Sequence, residues 1–250
     1  MNNIKIVIPS YKAGQWVHKT ITSVKSQSYG NFKCIFIDDN SPDDTFLIAQ
    51  AAAEGDERFI FKKNDTRVGA LKNIYDGFKE IGEDDQDIYV TLDGDDWLSN
   101  NFALEHLNYT YEEKKCLITY GSFIEWPSGI CHPHLLEPYP LHVIENNLFR
   151  EHEWKASALR TFRRILWENI KKSDLIDPEE NCFYQVAWDL AFMFPMIEMA
   201  GDRSEHIKEI LYVYNKQNPI SDMYVNTEKQ LDRAEKIRKK TKYTKKIVDF

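Results

Sequence analysis

The first hundred residues alternate short β-rich runs with stretches of helical periodicity. Apolar runs cover 4–8, 34–37, 58–61 and 88–92, helical patterns lie between them, and each run ends in polar residues. This alternation predicts βαβ units and an α/β fold, with a mainly parallel central sheet flanked by helices. Ligands of open α/β sheets bind beyond the carboxyl ends of the strands, so these polar residues mark the expected pocket.

The pattern changes after residue 100. It predicts helices over 102–114, 154–171 and 186–199, strands over 117–123 and 210–214, and a turn-rich stretch over 126–140. The predicted organisation is one domain over 1–225, followed by a basic helical tail over 226–250. Nine Lys or Arg and four acids lie between 228 and 250. Either an exposed, solvated helix or attraction to an anionic membrane surface explains this tail.

Composition excludes some classes of protein. With 32 basic and 40 acidic residues the net charge is -8, which argues against a nucleic-acid partner. The four cysteines are scattered without CxxC spacing, which fits a reducing compartment better than a disulfide framework. We see no signal peptide and no apolar run near the roughly 20 residues of a membrane span. We therefore expect a cytoplasmic protein, with any membrane contact peripheral.

Three carboxylates follow the run 88–91 directly, in Leu92-Asp93-Gly94-Asp95-Asp96. Like charges this close are costly without a cation, and Mg²⁺ or Mn²⁺ can bridge carboxylates to a substrate diphosphate. The cluster therefore predicts a metal and diphosphate site. The alternative is an acidic turn that caps the following helix.

A second acidic pair, Asp38-Asp39, follows the run 34–37 in the same way. A carboxylate there could accept hydrogen bonds from a base N–H or from ribose hydroxyls, and so select a nucleotide. The alternative is that one of these residues, or Ser41, caps the helix after Pro42.

Four motifs together resemble glycosyltransferase family 2, whose members have the GT-A fold. They are Ile8-Pro9-Ser10-Tyr11, Ile37-Asp38-Asp39-Asn40-Ser41, Gly69-Ala70-Leu71-Lys72-Asn73 and Leu92-Asp93-Gly94-Asp95-Asp96, in the family's order and approximate spacing. The resemblance implies that Pro9, Ser10 and Tyr11 flank the base and that Asp38 and Asp39 contact base and ribose.

The same resemblance implies roles for further residues. Asp93-Gly94-Asp95 matches the family's DxD motif, in which Asp93 lies near the ribose or the metal and Asp95 binds the cation. Lys72 stands where the family often has Arg. Its contact with the diphosphate would keep the positive charge but lack the planar, two-donor geometry of a guanidinium. Asp189 matches the catalytic base, with Trp188 in place of the usual acidic neighbour. The alternative is that Asp189 only lies near a helix N-terminus, where the helix dipole favours a carboxylate.

The family is inverting, so the resemblance implies a single displacement at the sugar of a nucleotide diphosphate donor. By family habit the donor is a UDP-sugar, and the cofactor is Mn²⁺ or Mg²⁺. The acceptor would be a carbohydrate, lipid-linked or protein-linked hydroxyl in glycan or polysaccharide synthesis. The donor would bind to 1–100 and the acceptor to 101–225. A noncatalytic nucleotide-sugar-binding protein and a metal-dependent nucleotidyltransferase or phosphohydrolase stay open as alternatives.

Two further segments are weaker candidates. Cys131-His132-Pro133-His134 offers metal-ligand side chains without a partner cluster, and the loop with Trp126 better suits stacking of an acceptor sugar. Arg160-Thr161-Phe162-Arg163-Arg164 is expected on a helix, where its cations would face the diphosphate, the acceptor or solvent.

Overall fold

A computed structural model describes residues 2–220 and 226–246. Its main feature is an eight-stranded sheet with the order β3-β2-β1-β4-β7-β6-β10-β5. Its strands are β1 Ile4–Ser10, β2 Phe32–Asp38, β3 Phe59–Lys63, β4 Ile88–Thr91, β5 Trp97–Leu98, β6 Ile118–Trp126, β7 Ser157–Arg163 and β10 Ser204–Asn215. The strands β8 Ile176–Asp177 and β9 Cys182–Phe183 form a separate two-stranded sheet.

Helices cover both faces of the sheet. They are α1 Val17–Lys25, α2 Thr45–Ala52, α3 Ala70–Ile81, α4 Ala103–Lys114, α5 Leu141–Glu145, α6 Arg164–Trp167, α7 Trp188–Ala200 and α8 Thr227–Arg238. Successive side chains of β1 enter opposite cores. Val7 joins the cluster that contains α3 and α7, whereas Ile6 and Ile8 join the cluster that contains α1 and α4. This double covering explains why the strand is apolar along its length.

The sheet is mixed but mainly parallel, as predicted. Strands β3, β2, β1 and β4 pair in parallel, and so do β6 and β10. β7 runs antiparallel to both β4 and β6, and β5 runs antiparallel to β10. The α/β class is therefore confirmed, and the carboxyl ends of β1, β2, β4, β6 and β10 lie along one edge.

The predicted helix over 154–171 is wrong. Residues 157–163 form β7, in the middle of the sheet, and helix resumes only over Arg164–Trp167. Six of the seven β7 residues are buried, so the strand lacks the alternation of apolar and polar residues that would have identified it. Strand β10 also begins at Ser204, earlier than the predicted 210, because charged residues interrupt its first half.

The C-terminal tail is not simply an exposed, solvated helix, which corrects that expectation. Ile237 of α8 is buried, and Arg150 donates to its carbonyl oxygen at 2.7 Å. Arg150 also pairs with Glu198 of α7, and both side chains are buried. The Tyr243 backbone N–H donates to Glu198 at 2.9 Å. A buried ion pair thus joins the tail to the domain, by contacts that a charge pattern does not reveal.

Within 2–220 and 226–246, no helix combines the length and apolar content needed to cross a bilayer.

Replacing Arg150 by Met should lower the free energy of unfolding by about 3–5 kcal/mol, because Glu198 would keep a buried charge without its counterion. Urea denaturation measures the change. Lys239→Met is the matched control, because it breaks an exposed pair with Glu235 and should cost less than about 1 kcal/mol. Equal losses in the two variants would contradict this role for the tail.

Candidate active site

Two adjoining cavities open at the carboxyl edge of the sheet. The larger has a volume of about 270 Å³ and is lined by Tyr11, Arg67, Ala70, Asp93, Asp95, Asp96, Arg160, Ala187, Trp188, Asp189, Tyr214, Asn218, Ile220 and Gln230. The smaller, about 100 Å³, is lined by Pro9, Ser10, Tyr11, Asp39, Arg67, Gly69, Ala70, Asn73, Gln185 and Trp188. Four residues line both cavities, so the two form one continuous site.

The three acids after β4 have three different environments. Asp96 is buried, and both of its carboxylate oxygens accept hydrogen bonds, from the Tyr212 hydroxyl and from the Asn215 backbone N–H. Burial, followed by the nearby charges of Asp95 and Asp93, raises the pKa of Asp96 well above its usual range. Asp96 therefore fastens the end of β10 to this turn.

Asp93 and Asp95 lie at the cavity wall. Asp93 accepts hydrogen bonds from Arg160 at 3.0 Å and from the Tyr212 hydroxyl at 3.3 Å. Asp95 is half-buried and accepts a hydrogen bond from the Asn218 amide at 2.7 Å. The turn after β4 thus exposes two acids to the cavity, whereas Asp96, which also lines it, is buried by its contacts with β10.

Arg160 links these acids to Asp189. It lies on β7, where it pairs with Thr91 of β4, and it is buried. One guanidinium nitrogen is 3.0 Å from Asp93 and another is 3.9 Å from Asp189. Burial disfavours its charge, but the acids around it hold the pKa of Arg160 above the usual arginine value. The expectation of a helical Arg160 is wrong, yet its side chain does reach the predicted pocket.

Asp189 is the second residue of α7, and the residue that precedes the helix, Ala187, lies in the left-handed region with φ 51°. Its side chain is 27% exposed and borders the larger cavity. Burial raises the pKa of Asp189, and the neighbouring Arg160 opposes that rise. The carboxyl group is therefore more basic than an ordinary aspartate and remains accessible to a small molecule.

The smaller cavity, called the slot below, has a stacked pair of planar side chains in its wall. The Arg67 guanidinium lies 3.9 Å from the centre of the Tyr11 ring. Asp39 holds the loop that carries Arg67, because it accepts hydrogen bonds from the backbone N–H groups of Val68 at 2.9 Å and Gly69 at 2.8 Å. Sequence reasoning missed Arg67. A cation in the loop just before the Gly69 motif was the signal that could have identified it.

Some buried polar atoms have no hydrogen-bond partner among the described residues. They include Ser10 Oγ and Asn73 Nδ2, both in residues that line the smaller cavity. A buried polar group left unpaired costs about 1–3 kcal/mol. A polar ligand in the slot would remove that cost.

Asp38 and Lys72 are not among the residues that line either cavity. Asp38 is buried and accepts a hydrogen bond from the Ser41 backbone N–H at 2.8 Å, which matches the alternative of a turn or cap. Lys72 pairs with Asp76 one helical turn away on α3. The remaining predicted residues, Pro9, Ser10, Tyr11, Asp39, Asp93, Asp95 and Asp189, line the site, and Gly94 packs behind Ser10.

The residues around Cys131–His134 form an aromatic and charged surface. His132 contacts Glu125 at 2.9 Å, and the Trp97 and Trp126 ring centroids are 5.5 Å apart. The Lys19 ammonium lies 4.2 Å from the Trp126 ring.

Across the described ranges, no three His, Cys, Asp or Glu side chains are placed to hold a metal ion on their own. These four residue types alone therefore form no complete metal site, either around Cys131–His134 or at Asp93 and Asp95. Two carboxylates do fit a Mg²⁺-type ion, because such ions usually keep waters and substrate phosphates among their ligands.

Gly94→Ala should destabilise the fold by about 1–3 kcal/mol through overpacking. An added Cβ would lie 2.4 Å from Ser10 Oγ and 2.9 Å from Ser10 Cα. Gly30→Ala is the control, because nothing lies within 4 Å of its Cβ position. Thermal unfolding compares the two, and an unchanged midpoint in Gly94→Ala would show that the turn does not pack against Ser10.

Comparisons with known proteins agree with this geometry. A family model described as Glycosyl transferase family 2 matches residues 5–178. Glycosyltransferase GlyA of Streptococcus pneumoniae is 21% identical over 225 residues, which is 85% of this chain and 30% of the relative. An uncharacterized glycosyltransferase of Haemophilus influenzae is 30% identical over 123 residues, which is 48% of this chain and 46% of the relative. This chain thus spans less than half the length of either relative.

Solved structures show the same fold. S. aureus TarS 1-349 in complex with UDP has a TM-score of 0.69 at 14% identity, covering 94% of this chain and 64% of that chain. Mannosyltransferase PcManGT from Pyrobaculum calidifontis, in complex with GDP-Man and Mn²⁺, has a TM-score of 0.65 at 14% identity. The match covers 96% of this chain and 66% of that chain. The predicted GT-A fold is therefore confirmed. Because the family model matches more than half of its length, the chain belongs to glycosyltransferase family 2.

Proposed function

We propose that this protein is an inverting, metal-assisted glycosyltransferase that moves a sugar from a nucleotide diphosphate donor, a UDP-sugar, to an acceptor hydroxyl. One observation carries the proposal. Asp93, Asp95, Arg160 and Asp189 surround a single cavity that continues into the slot formed by Tyr11 and Arg67.

The slot suits the nucleotide base. A planar ring can stack on Tyr11 and Arg67, since aromatic faces and guanidinium planes both stack on bases. The unpaired Ser10 Oγ and Asn73 Nδ2 supply hydrogen-bonding capacity there. The UDP and UDP-GlcNAc complexes of TarS support uridine, whereas PcManGT is seen with GDP-Man. Pro9 and Asp39 would complete the base side, and Asp93 would lie toward the ribose.

The diphosphate would lie in the larger cavity. Asp95, helped by Asp93, would hold Mn²⁺ or Mg²⁺, and such an ion supplies Lewis-acid stabilisation of the leaving diphosphate. The Asn218 amide orients Asp95 from the other side. Arg160 places a fixed positive charge beside Asp93. Negative charge grows on the diphosphate as the sugar leaves, and this cation would stabilise it. We assign no diphosphate contact to Lys72, because it pairs with Asp76 away from the cavity.

Asp189 is the proposed general base. It would accept the proton of the acceptor hydroxyl as that oxygen attacks the anomeric carbon, a contribution of roughly 10²–10⁴-fold. Its raised pKa makes it a better proton acceptor, and Arg160 still favours its ionised form. A base opposite the leaving group suits single displacement with inversion.

We place the acceptor on the surface of Trp97, Trp126 and His132, beside the end of β10. Aromatic rings there can stack on sugar rings, and Lys19 and Glu125 offer hydrogen-bonding groups. This keeps the donor mainly on 1–100 and the acceptor partly on 101–225, since Trp97 and Lys19 of the proposed acceptor surface belong to the first part. Arg160, Trp188 and Asp189 of the second part nevertheless line the donor cavity.

A thermal-shift panel of UDP-, GDP-, TDP- and CMP-sugars, with and without Mn²⁺, tests the donor site. We expect Mn²⁺-dependent stabilisation by a UDP-sugar, about 2.7 kcal/mol at a ligand concentration of 100 Kd. Asp95→Asn should lose it, and Asp76→Asn, a change on the exposed face of α3, should retain it. Stabilisation that is equal in both variants, or absent with every nucleotide, would contradict the assignment.

Asp189→Asn should reduce kcat by roughly 10²–10⁴-fold, because the acceptor proton loses its base, while donor binding is kept. Turnover is followed by release of UDP. Release of pyrophosphate or phosphate instead would identify the nucleotidyltransferase or phosphohydrolase alternative. Asp202→Asn is the control at an exposed acid outside the cavity.

The pH profile adds a readout that misfolding would not move. The base acts ionised, so activity is present above its pKa and lost as the pH falls through it. Burial raises that pKa, so the acidic limb should lie above the ordinary aspartate value of about 3.9. Arg160→Gln should move the limb to still higher pH, since the cation opposes the rise. A limb that does not respond to Arg160→Gln would count against Asp189 as the base.

A further inference from the structure

A cavity of about 710 Å³ lies apart from the donor site and shares no lining residue with it. It is formed by the segment 171–178, which contains a 3-10 helix over Lys172–Leu175 and strand β8, and by the segment 239–244, which follows α8. Its lining residues are Lys171, Ser173, Asp174, Ile176, Pro178, Lys239, Lys240, Thr241, Lys242, Tyr243 and Thr244. No step of the proposed transfer reaction uses any of them.

The charge of this cavity is opposite to that of the chain. Four lysines and one acid line it, although the whole chain carries a net charge of -8. Residues 236–246 contain seven Lys or Arg and no acid. The positive charge is therefore concentrated in one concave place, where it raises the local concentration of anions.

The acids nearby offset part of this charge, because three of the four lining lysines have an acidic partner, whereas Lys171 has none among the described ion pairs. Asp174 is 3.6 Å from Lys240 and also accepts a hydrogen bond from the Tyr243 hydroxyl at 2.6 Å. Lys242 pairs with Glu151, and Lys239 pairs with Glu235 one helical turn back. Burial lowers the pKa of Lys240, and Asp174 opposes that shift. An anion bound beside Lys240 would also favour its charged form.

The other lining groups narrow the class of ligand. Ser173, Thr241 and Thr244 add hydroxyl donors around the ammonium groups, a combination that suits the oxygens of a phosphate. A concave site suits a discrete phosphate group better than it suits a flat polyanionic surface. We propose that this cavity binds a phosphate-bearing ligand, either a soluble phosphate compound or the phosphate headgroup of a lipid.

The test uses the full chain and inorganic tripolyphosphate as the probe, with calorimetry at low ionic strength. Lys171→Gln with Lys239→Gln removes two charges at exposed positions that hold no buried contact. We expect affinity to fall on the order of thirtyfold, because two Coulomb contacts in a water-like dielectric are lost. Lys114→Gln with Lys208→Gln is the matched control, and it should bind like the wild type.

Tripolyphosphate could also enter the donor site, so Arg67→Gln is measured in parallel. Binding that survives Arg67→Gln and falls in the Lys171 and Lys239 variant supports the cavity, whatever the fate of the proposed transferase activity. Binding equal in the wild type and that variant, or lost only in Arg67→Gln, overturns it.

Vesicles distinguish the two sources of phosphate. Co-sedimentation with phosphatidic acid vesicles but not with phosphatidylcholine vesicles, sensitive to the same two lysines, identifies a lipid headgroup. Tripolyphosphate binding without co-sedimentation identifies a soluble ligand.

Discussion

The negative charge of Asp93, Asp95 and Asp96 is the constraint on which the rest of the site depends. Three carboxylates in four residues repel one another, and the protein gives each a different environment. Asp96 is withdrawn into the interior and fastened to β10, Asp93 is paired with Arg160, and Asp95 remains at the cavity wall beside Asn218. This division leaves a negative face toward the cavity, where a divalent cation and a diphosphate can balance each other.

Arg160 connects that face to the proposed base because of the sheet topology. Strand β7 enters between β4 and β6 and runs antiparallel to both, which places Arg160 beside Thr91, two residues before Asp93. The same side chain approaches Asp189 on α7. In the proposed mechanism, one buried guanidinium would therefore couple stabilisation of the leaving group electrostatically to proton acceptance by Asp189.

Much of this edge could be predicted from the sequence, because apolar runs that end in acids identify strand ends without any tertiary information. The position of Asp95 at the cavity wall follows from that pattern. Strand β7 could not be predicted, because a strand buried on both faces has no alternation of polar and apolar residues. Arg67 and the docking of the tail through Arg150 depend on long-range contacts, which leave no local signal.

A crystal structure of the protein with UDP and Mn²⁺ tests the central claim most directly. We predict that the uracil ring lies in the smaller cavity and stacks on the pair formed by Tyr11 and Arg67, that Asp95 is a ligand of Mn²⁺, and that the diphosphate lies between this ion and Arg160. A uracil ring bound outside the slot, or Mn²⁺ bound without Asp95, would contradict the account.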